Sequence, residues 1–112
     1  MPEVCVQFQP GRVTPADEER VLNAFRRAVP AAEETAGDDG GRYVNLAFKT
    51  PSAAAGWTAV SAVLDLPAAG VAARASCIVT CQGEHGWDDY LLLHHYDPTV
   101  VADFVPAARD DQ

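Results

Sequence analysis

Lysine is nearly missing from this chain. Lys49 stands alone beside seven arginines and 16 carboxylates, for a net charge of −8. The arginines (Arg12, Arg20, Arg26, Arg27, Arg42, Arg74, Arg109) never cluster beyond two. No basic stripe exists to displace counterions along phosphates, so nucleic acid is not an expected partner. The same acidity opposes an anionic membrane surface, and no apolar run approaches the roughly 20 residues of a bilayer span. The Met-Pro-Glu-Val-Cys-Val start lacks a basic segment followed by an apolar one, so no signal peptide is expected. Cysteine is sparse as well. Cys5, Cys77 and Cys81 are odd in number and lack the spacing of a disulfide framework, which suits a reducing cytoplasm. The surplus of acid favours solubility and suits a basic protein partner, since complementary charge speeds and selects association.

Signatures of chemistry are missing too. There is no phosphate-cradling Gly-x-x-x-x-Gly-Lys-Ser/Thr, no Gly-x-Gly-x-x-Gly after the first strand, no Gly-x-Ser-x-Gly and no His-Glu-x-x-His. Asp38-Asp39 and Asp110-Asp111 lack the alternation of a calcium loop. Cys77-x-x-x-Cys81-x-x-x-His85 invites a zinc reading. On a strand, however, positions 77 and 81 lie about 13 Å apart at 3.3 Å per residue, whereas zinc ligands all sit about 2.0–2.3 Å from one ion. No metal and no cofactor are expected, and the two cysteines read as buried core residues.

What is present is ordinary globular material: 48% apolar and 21% charged residues, enough for one core in 112 residues. Residues 3–9 alternate, with Val4, Val6 and Phe8 on one side and Cys5, Gln7 and Gln9 on the other, which predicts a half-buried strand. Thr14-Pro15-Ala16-Asp17 carries a cap, a first-turn proline and an acid, the start of a helix with Val21, Leu22, Phe25, Ala28 and Val29 on its apolar side. Residues 30–41 read as a polar loop. Residues 42–50 alternate again, with Val44, Leu46 and Phe48 opposite Tyr43, Asn45, Ala47 and Lys49. Thr50-Pro51-Ser52 repeats the start signal for a second helix, striped by Trp57, Val60, Val63 and Leu64 and closed by Pro67 and Gly70. Strands at 74–82 and 89–96 form a hairpin. Asp97-Pro98 then predicts a short terminal helix through Val100, Val101, Phe104 and Val105.

The expected fold is therefore α+β: a two-layer sandwich with a four-stranded mixed sheet and helices mainly on one face. The order is β-α-β-α-β-β plus a short α, with the first two strands parallel. One domain over residues 1–106 and a polar tail over 107–112 follow. This order of elements resembles the thioredoxin-like arrangement. Where that family's catalytic members carry Cys-x-x-Cys, residues 10–15 read Pro-Gly-Arg-Val-Thr-Pro, and no proline directly precedes the third strand. Redox activity is not expected.

Two features are candidate sites. If Leu91 and Leu93 face the core together with His95, then Tyr90, Leu92, His94 and Tyr96 share the opposite face with Gln7, Gln9, Asn45 and Lys49. That face would be aromatic and rich in amides, a surface for a ligand or partner around Gln7, Asn45, Tyr90, His94 and Tyr96, or for a second copy in a homodimer. The turn Glu84-His85-Gly86-Trp87-Asp88-Asp89 gathers a tryptophan, a histidine and three acids, and tryptophan is enriched at interaction hot spots. The expected role is a non-enzymatic adaptor or neutraliser binding a basic protein. The alternative is a small dimeric enzyme or ligand-binding domain built around His94.

Overall fold

The computed structural model describes residues 1–103. Strand β1 (Glu3–Phe8) leads through a single 3-10 turn at Pro10–Arg12 into α1 (Pro15–Ala28). Strands β2 (Glu33–Asp38) and β3 (Arg42–Lys49) follow, then α2 (Ala53–Leu64), α3 (Ala68–Arg74), β4 (Cys77–Gly83) and β5 (Gly86–His94). The five strands form one sheet in the order β2-β3-β1-β4-β5, and every adjacent pair is antiparallel. This is a split β-α-β sandwich extended by a fifth strand.

The α+β class stands, but the strand count and directions are corrected. Residues 33–38 were expected in a loop and instead form β2. Glu-Glu-Thr-Ala-Gly-Asp has no apolar alternation because β2 is an almost wholly exposed edge. Its backbone ladder with β3 and the two-pronged Arg26–Glu34 ion pair (2.8 and 2.9 Å) hold it. The crossover through α1 therefore reaches β2, which runs parallel to β1 but one strand away. β3 returns by a hairpin into the gap and pairs with β1 antiparallel, where a parallel neighbour was expected. The sheet is five-stranded and antiparallel, not four-stranded and mixed, and its topology also departs from the thioredoxin-like arrangement.

The alternation along β1 sorts the two faces. Val4, Val6 and Phe8 are fully buried, and their ladder partners Phe48, Leu46 and Val44 on β3 and Cys81, Val79 and Cys77 on β4 lie on the same side. Val21, Ala24 and Phe25 of α1, Val60, Val63 and Leu64 of α2 and Ala72 and Ala73 of α3 close that core. Thr14 caps α1, its hydroxyl accepting from the Asp17 amide at 3.2 Å. The second helix differs in detail. Ser52 is its cap, accepting from the Ala55 amide at 3.1 Å, while Thr50 is buried and donates to the Ser52 carbonyl. Gly56, costly in a helix interior, lets α2 settle onto β1: a Cβ there would come within 2.7 Å of Val4 Cγ2. No single helix among the described residues is long and apolar enough to cross a membrane, and α2 and α3 meet at 117°.

The expected terminal helix does not start at Asp97-Pro98. The Asp97 carboxylate accepts from the Thr99 amide and hydroxyl at 2.9 and 2.7 Å, closing a local turn, and residues 101–103 are without regular structure. Phe104, Val105 and the tail from 107 lie outside the described residues.

Candidate functional site

The helices all pack on one side, so among the described residues the opposite side of the sheet has no second layer. Gln7 and Asn45 are direct cross-strand partners there, flanked by Thr35 on β2 and Ile78 on β4. Cross-strand partners hold their Cβ atoms about 5 Å apart. With Gln9, Tyr43 and the turn Asp39-Gly40-Gly41-Arg42, they line a depression of about 310 Å³. Tyr43 lies across β2 because residue 37 is glycine; a Cβ there would collide with its ring. Arg42 on the rim is paired with Glu18 of α1 at 3.0 Å.

A chain of directed hydrogen bonds orders the amides. Arg12 Nε donates to Gln9 Oε1 at 2.7 Å, and Gln9 Nε2 donates to Gln7 Oε1 at 3.0 Å. A guanidinium can only donate, so Gln9 must turn its oxygen to Arg12 and its nitrogen to Gln7. Gln7 must then present its oxygen to Gln9, which leaves its own NH₂ without a partner among the described residues. Asn45 is odder still. Its side chain makes no hydrogen bond among the described residues, and Oδ1 is shut off from solvent with no partner. A buried acceptor in that state costs roughly 1–3 kcal/mol.

The expected site residues separate into three groups. Gln7 and Asn45 do meet. Tyr96 joins them indirectly, because the Arg12 guanidinium sits 3.5 Å from the Tyr96 ring centroid while also holding Gln9. His94 does not belong with them. A register shift between Val79 and Thr80 pairs His94 with core-facing Val79, and its Nε2 lies 3.0 Å from the Arg74 carbonyl at the end of α3. The bulge has moved this histidine off the open face onto the helix side, which corrects the strict alternation assumed for residues 90–96. His95 and Tyr96 lie beyond the strand, with His95 Nδ1 accepting from the Asp97 amide at 3.0 Å.

Trp87 and Tyr90, 41% and 54% exposed, belong to the β4–β5 hairpin. That hairpin tip lies beyond the Val4–Cys81 pairing, at the Glu3 end of β1, away from Gln9. At the tip, Asp89 accepts from the His85 amide at 2.8 Å and lies 3.1 Å from His85 Nδ1. The backbone bond, then the imidazole, hold its carboxyl below the usual range. Glu84 and Asp88 are exposed nearby, and no cluster of three metal-ligating side chains occurs among the described residues. Comparison of the chain with protein-family models, curated proteins and solved structures finds no match.

Cys77 and Cys81 lie four residues apart on β4, both fully buried in the core and free. Burial pushes the Cys77 thiol up to about 12 and raises that of Cys81. Cys5, half-buried on the open face, is raised by burial and by the neighbouring Glu3 charge. Arg12, Asp39, Arg42 and Tyr43 are site residues that the sequence reading passed over. The Asp39-Gly40 dipeptide is a hairpin signal that would have placed the rim turn.

Proposed function

We propose that this chain is a non-enzymatic binding protein that receives a polar group in the amide-lined depression on its open sheet face. Asn45 carries the reading. Asparagine is disfavoured in strand interiors, and this one lines the depression while its side chain, its oxygen closed to solvent, bonds nothing among the described residues. Such a residue is explained by a partner it has yet to meet. Gln7 and Gln9, gathered with it beside Tyr43, Asp39 and Arg42, are carboxamides, which donate and accept hydrogen bonds but do not exchange protons near neutral pH. They suit holding rather than catalysis. The test is a mixed library of neutral, acidic and basic fragments, followed by protein-observed NMR. Responding residues should cluster on Gln7, Gln9, Tyr43 and Asn45; responses confined to other surfaces would defeat the proposal.

A second reading, an adaptor for a basic protein, draws support from the exposed Trp87 and Tyr90 beside Glu84, Asp88 and Asp89. Pairing of two copies along β5 is hindered at Leu92, where the Asp103 amide donates to the Leu92 carbonyl and the Asp103 carboxylate accepts from the Leu92 amide, both at 2.7 Å. The adaptor reading requires a partner captured from host extract at low salt and released at high salt. It also requires that capture fail for a Trp87→Ala, Tyr90→Ala variant.

A further inference from the structure

Resting on the reading of the depression as a binding site, we infer that its ligand is a small monocarboxylate, held through its two oxygens by the amide NH₂ groups of Gln7 and Asn45. What these two side chains turn outward decides the class. The relay that starts at the Arg12 guanidinium consumes the Gln9 oxygen and then the Gln7 oxygen. Gln7 therefore ends it with an NH₂ that bonds nothing among the described residues. Asn45, the cross-strand partner of Gln7, has its oxygen closed to solvent, which leaves its equally unbonded NH₂ as the accessible group. Turning that amide over would bury two unmet donors in place of one acceptor. Two donors thus stand side by side in the wall of one depression, on Cβ atoms about 5 Å apart.

Two donors on adjacent strands suit two acceptors on one small group. A carboxylate is such a group, since its oxygens accept and have nothing to donate. A neutral carbonyl offers one oxygen to the same pair, and its hydrogen bonds are roughly half as strong as those to an ionised acceptor. An ammonium or guanidinium brings only donors and leaves both amides unmet. The relay adds to the preference: a cation heads it, and each directed bond polarises the next, so its last NH₂ donates better than an isolated amide. Charge at the rim is mixed. Arg42 spends Nη2 on Glu18 and keeps its other N–H groups, while the exposed Asp39 opposes an anion. Salt screens an exposed like charge over roughly 8 Å, whereas the amide donors act at contact. Against a chain charge of −8, further negative charge on the ligand is penalised. One carboxylate is therefore favoured over a phosphate dianion.

The experiment titrates the full chain with benzoate, benzamide, benzamidine and phenyl phosphate, followed by the side-chain NH₂ resonances of Gln7 and Asn45. Benzoate is expected to shift both resonances and to bind about tenfold more tightly than benzamide. Gln7→Glu keeps an acceptor for Gln9 and puts oxygen where the NH₂ stood; Asn45→Leu removes the other donor. Each should weaken benzoate by about tenfold, and the backbone spectra of the two variants report directly on folding. Benzamide, benzamidine or phenyl phosphate binding in the depression as tightly as benzoate would overturn the ligand class while the binding site stood. So would a benzoate affinity that neither variant changes. If none of the four probes, nor any fragment of the wider library, perturbs Gln7 and Asn45, both the class and the site fall.

Discussion

Replacing Asn45 with leucine should make the protein more stable. In the native protein the Asn45 oxygen is buried without a partner and its amide bonds nothing among the described residues. Removing it relieves a penalty of roughly 1–3 kcal/mol. Leucine is close to asparagine in length and also tolerates a half-buried strand position better, within a propensity scale spanning about 1 kcal/mol. The expected gain is about 1–3 kcal/mol. For a domain near 100 residues this corresponds to a rise in Tm of roughly 4–12 °C. Urea unfolding measures it directly: the midpoint should rise with an unchanged slope, since the surface exposed on unfolding is nearly the same. Asn45→Asp is the companion. A buried carboxylate without a partner holds a raised pKa, so this variant should lose stability as pH rises through that value. If Asn45→Leu instead unfolds at lower urea by more than about 1 kcal/mol with the same slope, Asn45 was doing structural work and the reasoning fails.

Gly56→Ala would gain about 1 kcal/mol of helix propensity and lose about 1–3 kcal/mol by forcing α2 off Val4. A net loss is expected in urea unfolding, and it should shrink in the background of Val4→Ala. The Cys77 thiol, held near 12 against an ordinary 9.0, stays protonated in the folded state after the unfolded chain has ionised. Its contribution is complete below about pH 9 and is lost as pH rises from there toward 12, on the order of 4 kcal/mol in all. Cys77→Val should therefore flatten the alkaline limb of stability measured against pH, and an unchanged limb would refute the assignment. His94→Ala should cost about 0.5–1.5 kcal/mol through the lost contact with the Arg74 carbonyl, with no change in binding at the depression as followed by the Gln7 resonances.

How much of this was legible depended on whether a residue's burial is periodic. β1, β3 and α1 could be read because Val4, Val6, Phe8, Leu46, Val21 and Phe25 all face one core, and a period of two or 3.6 records that directly. β2 could not. An edge strand held by its backbone and by Arg26–Glu34 needs no apolar side, so Glu-Glu-Thr-Ala-Gly-Asp looked like a loop. Missing that strand inverted the direction assigned to its neighbour. The shared face of Gln7 and Asn45 survived the error, because both alternate opposite apolar residues in strands that do lie side by side. His94 did not survive, because a single bulge moves a side chain to the other face and a bulge leaves no compositional trace. The orphaned oxygen of Asn45 was beyond reach altogether, since it is a property of what its neighbours bond to.

Crystals of the full chain soaked with a library of neutral fragments would test the central claim most directly. Bound molecules should collect in the depression with a polar atom within hydrogen-bond distance of the Gln7 or the Asn45 side-chain amide. Fragments that avoid this depression, together with an Asn45 oxygen already bonded within the protein, would contradict it.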